Sequence, residues 1–197
     1  MNGKGRPCEG VEEMPIPAGE VRRILAAAHF AADKHARQKR KGLAGEPYVN
    51  HLVEVAELIA GSTDPLDANL VIAGFLHDTI EDAGVTKDEL AQRFGHDVAS
   101  LVMEATDDKS LPKETRKALQ VQTAPFKSPR AQTLKLADKI SNLRAILDSP
   151  PADWSKERKR QYFEWARQVV SGFTAPNASL KAEFDRTCEE FVQGEKK

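Results

Sequence analysis

Leu70-Val71-Ile72-Ala73-Gly74-Phe75-Leu76 is the longest uninterrupted apolar run in the chain, and it leads directly into His77-Asp78-Thr79-Ile80-Glu81-Asp82. Its seven residues fall far short of the roughly 20 that cross a bilayer. Gly61-Ser62-Thr63-Asp64-Pro65 breaks the chain upstream, and Asp67 stands where it can cap a helix carrying the run. A helix that is apolar on all sides belongs at the centre of a fold, with the rest of the chain wrapped around it.

The surrounding segments also read as helices. Val21, Ile24, Leu25, Ala28 and Ala32 recur at helical spacing from Glu20 onward, through His35 to a basic cluster that Gly42 and Gly45 end. Pro47 opens a second segment carrying Val53, Ala56, Ile59 and Ala60. Thr86-Lys87-Asp88-Glu89 matches a capping box ahead of Leu90 and Phe94, and Gly95 separates that helix from another over about 98–104. Pro112 begins a helix reaching Ala124. Ser128-Pro129 opens a long one striped by Leu134, Ala137, Ile140, Leu143 and Leu147, which Pro150-Pro151 stops. Ser155 starts another, ending at Gly172, and Asn177 a last one, ending near Gly194. No strongly alternating, β-branched segment and no repeat occurs. The expected fold is all-α, a single bundle of about eight to ten helices over residues 20–197. Residues 1–19 mix Gly, Pro and charge without apolar periodicity and read as a loose extension.

Composition narrows the function classes. The 197 residues carry 29 Lys+Arg against 30 Asp+Glu, a formal net charge of −1, so no whole-chain electrostatic case exists for nucleic acid or an anionic membrane. At 40% hydrophobic residues a sizeable core is available and wholesale disorder is excluded. The first twenty residues hold no apolar signal-peptide core, which points to a cytoplasmic protein. Cys8 and Cys188 lie at opposite ends without CxxC spacing, against a disulfide framework or a cysteine-based zinc module. Gly-rich phosphate loops, GxSxG elbows and nucleophilic Cys/His pairs are absent from the sequence.

Three clusters remain that could carry chemistry. If the central helix continues past Leu76, His77 and Glu81 are i,i+4 neighbours, as are Asp78 and Asp82. Carboxylates crowded at the end of a buried element repel unless a cation or shared proton neutralises them, and a divalent metal does so economically. The alternative is a solvated acidic helix end before a turn at Gly84. His51, beside Leu52 and Val53, is a second candidate or a satisfied structural histidine. Asp138 directly follows a buried-looking stripe position, where an unpaired carboxylate is costly; it is a ligand, or it pairs with Lys135 or Arg144. Asn142 lies one turn on, able to hydrogen-bond a ligand from the same helix face. Arg37-Gln38-Lys39-Arg40-Lys41 reads by itself as a solvated, dipole-favoured helix end.

Together, His51, His77-Asp78 and Asp138 resemble the H…HD…D metal site of the HD-domain phosphohydrolase superfamily. Tyr48-Val49-Asn50-His51, Leu76 through Asp82, Thr106-Asp107-Asp108-Lys109 and Leu136-Ala137-Asp138-Lys139 resemble the hydrolase domain of RelA/SpoT-type proteins. Gln161-Tyr162-Phe163-Glu164-Trp165-Ala166 extends the likeness to the small stand-alone alarmone hydrolases, the metazoan SpoT homologue type. The resemblance covers about residues 21–192. It implies a single Mn²⁺ held by His51, His77, Asp78 and Asp138, with Glu81 and Asp82 as the pair that positions and deprotonates the attacking water. It also implies that Arg40 and Lys41 face the substrate's base and phosphates, with Asn142, Arg158 and Tyr162 near the nucleotide. Only His29, His35 and His96 are spare histidines, none at a place matching the multi-metal relatives, which favours one ion. Ala145 departs from the family, standing where long RelA/SpoT hydrolases often carry a hydroxyl residue.

The implied activity is Mn-dependent 3′-pyrophosphohydrolysis of guanosine tetra- and pentaphosphate, releasing pyrophosphate and GDP or GTP. Because the chain ends within the hydrolase pattern, hydrolysis without synthesis is expected. The rival enzyme reading is an HD phosphohydrolase of adenosine alarmones or of the NADPH 2′-phosphate, since specificity lies in the pocket wall. A third is a metal-free nucleotide-sensing module, which the intact ligand set disfavours.

Overall fold

The computed structural model describes residues 16–194; the expectations for residues 1–15, Cys8 among them, and for residues 195–197 lie outside these. Ten α-helices and a 3₁₀ turn account for the regular structure, with no strand among the described residues. In order they are α1 (Ala18–Lys34), α2 (Val49–Ala60), α3 (Ala68–Leu76), α4 (Thr79–Ala83) and α5 (Lys87–Phe94). There follow α6 (His96–Ala105), α7 (Lys113–Thr123), the 3₁₀ turn (Ala124–Phe126), α8 (Pro129–Asp148), α9 (Lys156–Ser171) and α10 (Ala178–Gly194).

Five of these helices, α3, α5, α8, α9 and α10, start at a short polar side chain. Asp67 Oδ1 accepts the Leu70 N–H at 3.0 Å, Thr86 Oγ1 the Glu89 N–H at 3.1 Å and Ser128 Oγ the Ala131 N–H at 3.2 Å. Ser155 and Asn177 do the same for Arg158 and Leu180, both at 3.1 Å. Each such cap contributes about 1 kcal/mol by satisfying an orphan donor of the first turn.

Two segments depart from the sequence expectation. α1 ends at Lys34, well before Gly42, and its inward face is Ala27 and Ala31 with Ile24 and Phe30 packed beside them, while Val21 and Leu25 are exposed. Beyond it the chain folds back on itself: Lys39 bridges Pro47, Arg40 N–H donates to Glu46 O at 2.8 Å and Tyr48 N–H to Gln38 O at 3.0 Å. The basic run is therefore a backbone-paired loop and not the end of a helix. The central helix likewise does not continue through the HD pair; α3 stops at Leu76 and α4 starts at Thr79. There the Thr79 hydroxyl donates to Leu76 O at 2.7 Å and His77 Nδ1 to Gly74 O at 2.8 Å, side-chain bonds that compete with the helical ladder.

α3 is buried almost throughout and packs on α1, α2 and α6. α8 is enclosed over its first half, residues 131–141, and touches α2, α3, α6, α9 and α10. Leu52, Ile59, Ile72, Leu76, Leu134, Leu136, Ile140 and Leu143 are fully enclosed, each worth about 1.5–3 kcal/mol of transfer free energy. α2 approaches α3 closely at Gly74, where a side chain would meet Ile59 and the Ala56 backbone. That close approach brings the two histidine-bearing segments face to face.

Candidate active site

Helix α2, the α3–α4 junction and α8 converge on one point. His51 comes from the first turn of α2, His77 caps the C-terminus of α3, Asp78 precedes α4, and Asp138 sits in the middle of α8. Both imidazoles are buried, their ring centroids 5.1 Å apart. His51 Nε2 lies 3.6 Å from Asp78 Oδ2 and 3.5 Å from Asp138 Oδ1; His77 Nε2 lies 3.1 Å and 3.8 Å from the same two oxygens. None of these approaches has hydrogen-bond geometry, so both Nε2 atoms are buried without a partner.

The tautomers follow from the other ring nitrogens. Gly74 O can only accept, so His77 Nδ1 carries the proton of that 2.8 Å bond. His51 Nδ1 meets Ser141 Oγ at 2.8 Å, and the Ser141 hydroxyl donates to Glu54 Oε2 at 2.5 Å, so His51 Nδ1 donates as well. Each Nε2 is thus the ring atom that faces two carboxylates, where it holds either a proton or a cation. Ligands held about 2.1 Å from a common cation lie roughly 3.0 Å apart at right angles and 3.4 Å apart in a tetrahedron. The observed spacings, 3.1–3.8 Å, bracket the tetrahedral value, and His51, His77 and Asp138 offer ligand atoms all within 4.8 Å of one another. The residues fit a divalent ion.

The electrostatics agree. Burial disfavours charging His77, but Asp78 and Asp138 outweigh it and raise its pKa to about 10. Burial opposes ionisation of both aspartates, yet Asp78 is held well below the usual carboxylate range by His77 and His51, and Asp138 by Lys139 and the same histidines. A bound cation and these protons compete for one anionic pocket. Tyr48 donates to Asp78 Oδ2 at 2.6 Å, and burial beside that carboxylate raises its pKa, so the phenol stays protonated. Asp138 takes neither partner suggested by its sequence neighbours: Lys135 pairs with Asp107, Arg144 with Glu54 and Glu183. Its cation is Lys139, at 3.3 Å, whose ammonium also lies over the Trp165 ring.

Asp82 and Glu81 take separate positions. Asp82 lines a cavity of about 270 Å³ with Arg40, Lys41, Asn142 and Tyr162. Its Oδ2 accepts from Gln38 Nε2 at 2.7 Å and its Oδ1 from Lys109. Glu81 does not line that cavity; it accepts the Asp107 N–H at 3.3 Å and lies 3.5 Å from Arg116, and burial, with Asp78 and Asp107 nearby, raises its pKa. Asn142 joins the two halves of the site, donating to Asp138 Oδ1 at 2.5 Å and accepting from Arg40 at 3.2 Å. Arg158 lies apart, over the Trp154 ring in an adjoining hollow that shares Lys113, Trp154 and Tyr162 with the cavity.

Sequence reasoning passed over several of these side chains. Gln38, Tyr48, Lys113 and Trp154 line the cavity, Trp154 also packing against the core, and Ala145 forms a wall without a hydroxyl. His35 is buried behind Tyr48, its ring stacked on the phenol at 5.2 Å. The Tyr48-Val49-Asn50-His51 block was a signal for Tyr48; nothing in the pattern marked His35 or Gln38.

Known proteins resemble the chain over most of its length. A family profile described as "HD domain" matches residues 27–165. Guanosine-3′,5′-bis(diphosphate) 3′-pyrophosphohydrolase MESH1 of Homo sapiens is 47% identical over 162 residues, 82% of this chain and 90% of that protein. The Drosophila melanogaster protein of the same name is 40% identical over 163 residues, 83% and 91% of the two chains. A solved structure, described as a metazoan ortholog of SpoT that hydrolyzes ppGpp and plays a role in starvation responses, superposes with a TM-score of 0.82 at 37% identity. It covers 90% of this chain and 97% of its own. No helix among the described residues is long and apolar enough to cross a membrane.

Proposed function

Since the chain belongs to the HD domain family, we propose that it is a Mn²⁺-dependent 3′-pyrophosphohydrolase of guanosine 3′,5′-bis(diphosphate) and its pentaphosphate. The observation that carries this reading is the pair of buried, unpartnered Nε2 atoms facing Asp78 and Asp138, which Asn142 and Tyr48 join to a cavity walled by cations and aromatics. Two imidazoles and two carboxylates, His51, His77, Asp78 and Asp138, form a borderline-to-hard donor set suited to one Mn²⁺. A divalent ion held there supplies Lewis acidity toward a phosphoryl oxygen and toward water.

The protein's own groups divide the remaining work. Asp82, aimed by Gln38, accepts the proton of the attacking water. Glu81, tied to the Asp107 backbone and Arg116, positions that water together with Asp82. The bond between phosphorus and the ribose 3′-oxygen breaks, that oxygen takes up a proton, and pyrophosphate departs. Arg40, Lys41 and Lys113 offset the phosphate charge, while Tyr162 and Trp154 offer aromatic surface to the base, with Arg158 beyond them. Such a substrate is too highly charged to cross a membrane unaided, which suits a cytoplasmic enzyme.

The test is turnover of a substrate panel with Mn²⁺ added. Pyrophosphate release from the guanosine substrate should exceed phosphate release from NADPH and from 5′-nucleotides by orders of magnitude, with adenosine alarmones included as competitors. Comparable rates overturn the assignment of substrate, and a preparation indifferent to Mn²⁺ overturns the enzyme reading itself.

A further inference from the structure

Behind Asp82 lies a buried imidazole that neither the metal set nor the cavity uses. We propose that His35 and Gln38 form a positioning relay that fixes the orientation of Asp82, with His35 also supporting the tyrosine that holds Asp78. The proposal rests on the functional reading above. His35 is 2% exposed and its Nδ1 lies 2.5 Å from Gln38 Oε1. Gln38 Nε2 in turn donates to Asp82 Oδ2 at 2.7 Å.

The direction of the relay is forced. A carboxylate can only accept, so the Gln38 amide must turn its NH₂ toward Asp82 and its oxygen toward His35. His35 Nδ1 must then carry a proton. Its Nε2 is buried without a partner, so a second proton there would have no acceptor. Burial also lowers the His35 pKa, which keeps the ring neutral. A neutral imidazole delivers direction to Asp82 without adding a second positive charge to that of Lys109 on its other oxygen. Gln38 itself is anchored at its backbone, with its N–H donating to His35 O at 2.9 Å and its carbonyl accepting from Tyr48 at 3.0 Å. The same His35 ring stacks on Tyr48, whose hydroxyl reaches Asp78. One buried ring thus backs both the proton acceptor and a metal-facing carboxylate.

The variants separate donor from bulk. His35→Phe keeps a flat ring against Tyr48 and removes the Nδ1 donor; His35→Asn removes the ring and restores a donor near the Nδ1 position. Gln38→Ala cuts the relay at a half-buried loop residue without hollowing the core. His35→Phe and Gln38→Ala should each lower kcat roughly ten- to a hundredfold, with KM and bound Mn²⁺ unchanged. The double variant should fall no further than Gln38→Ala, and His35→Asn should recover most of kcat. Wild-type kcat in either single variant, losses that multiply in the double, or a Mn²⁺ loss large enough to explain the rate would overturn the proposal. Nitrogen NMR of the His35 ring reads the relay without turnover: the Nδ1–H neutral form supports it and the Nε2–H form overturns it. If the panel assigns another nucleotide, the same variants are read on that nucleotide, so relay and substrate fail separately.

Discussion

Replacing Gly74 by alanine should uncouple stability from metal binding. A Cβ at this α3 position would sit 2.9 Å from Ile59 Cδ1 and 3.2 Å from the Ala56 Cα of α2. Comfortable carbon contacts are about 3.5–4.0 Å, so the shortfall is several tenths of an ångström on each. The Ile59 methyl has little room to retreat, because that side chain is fully buried, and the Ala56 contact is backbone. Relief therefore requires α2 and α3 to separate. Overpacking of this kind costs about 1–3 kcal/mol, and the better helix propensity of alanine returns about 1 kcal/mol. The net cost is about 0–2 kcal/mol, a fall in Tm of at most about 8 °C for a chain of this size. Metal sites are less forgiving, since ligand distances hold to about 0.2 Å. His51 rides on α2 and His77 is tethered to the Gly74 carbonyl itself, so separation parts their Nε2 atoms. Mn²⁺ affinity, measured by competition with a fluorescent chelator, should fall at least tenfold while the metal-free protein still melts cooperatively. A Gly74→Ala protein that binds Mn²⁺ like the wild type and melts no lower refutes the argument from close approach.

Other substitutions probe different parts of the site. Asp82→Asn should keep bound Mn²⁺ and lose nearly all turnover, whereas Asp138→Ala should lose both; a fully active Asp82→Asn shows that another group takes the proton. Ser141→Ala breaks the chain from His51 through Ser141 to Glu54 and should weaken Mn²⁺ binding about 10- to 100-fold by calorimetry, with little change in fold by circular dichroism. Gly42→Ala would put a Cβ 2.2 Å from the Ser149 carbonyl, forcing the basic loop off the end of α8. KM should rise severalfold while Mn²⁺ binding stays constant, and an unchanged KM contradicts a substrate-facing role for Arg40 and Lys41.

The sequence exposed much of this molecule unevenly. Helix starts were legible because Asp67, Thr86, Ser128, Ser155 and Asn177 act over three residues, within reach of local pattern. The break between α3 and α4 was not, since neither glycine nor proline marks it and the bonds at Leu76 and Gly74 come from side chains. The inward face of α1 was misread because its alanines carry little hydrophobic contrast with their neighbours. The candidate metal ligands stood out as chemically costly, and family likeness ordered them. His35 and Gln38 did not, because the link from Gln38 to Asp82 spans 44 positions and exists only once the loop has folded back.

α8 presents Asp138 at the metal pocket, then Asn142, Ala145 and Ile146 along the cavity, and Ser149 at its far end. At 1.5 Å of rise per residue, Asp138 and Ser149 stand about 16 Å apart on one stiff rod. On the proposed function, reaction and recognition are thus read off opposite ends of a single ruler. A ligand pinned by its phosphorus at one end is gauged by its length at the other. Drift near Ser149 can then retune which nucleotide fits while the chemistry at Asp138 stays as it was.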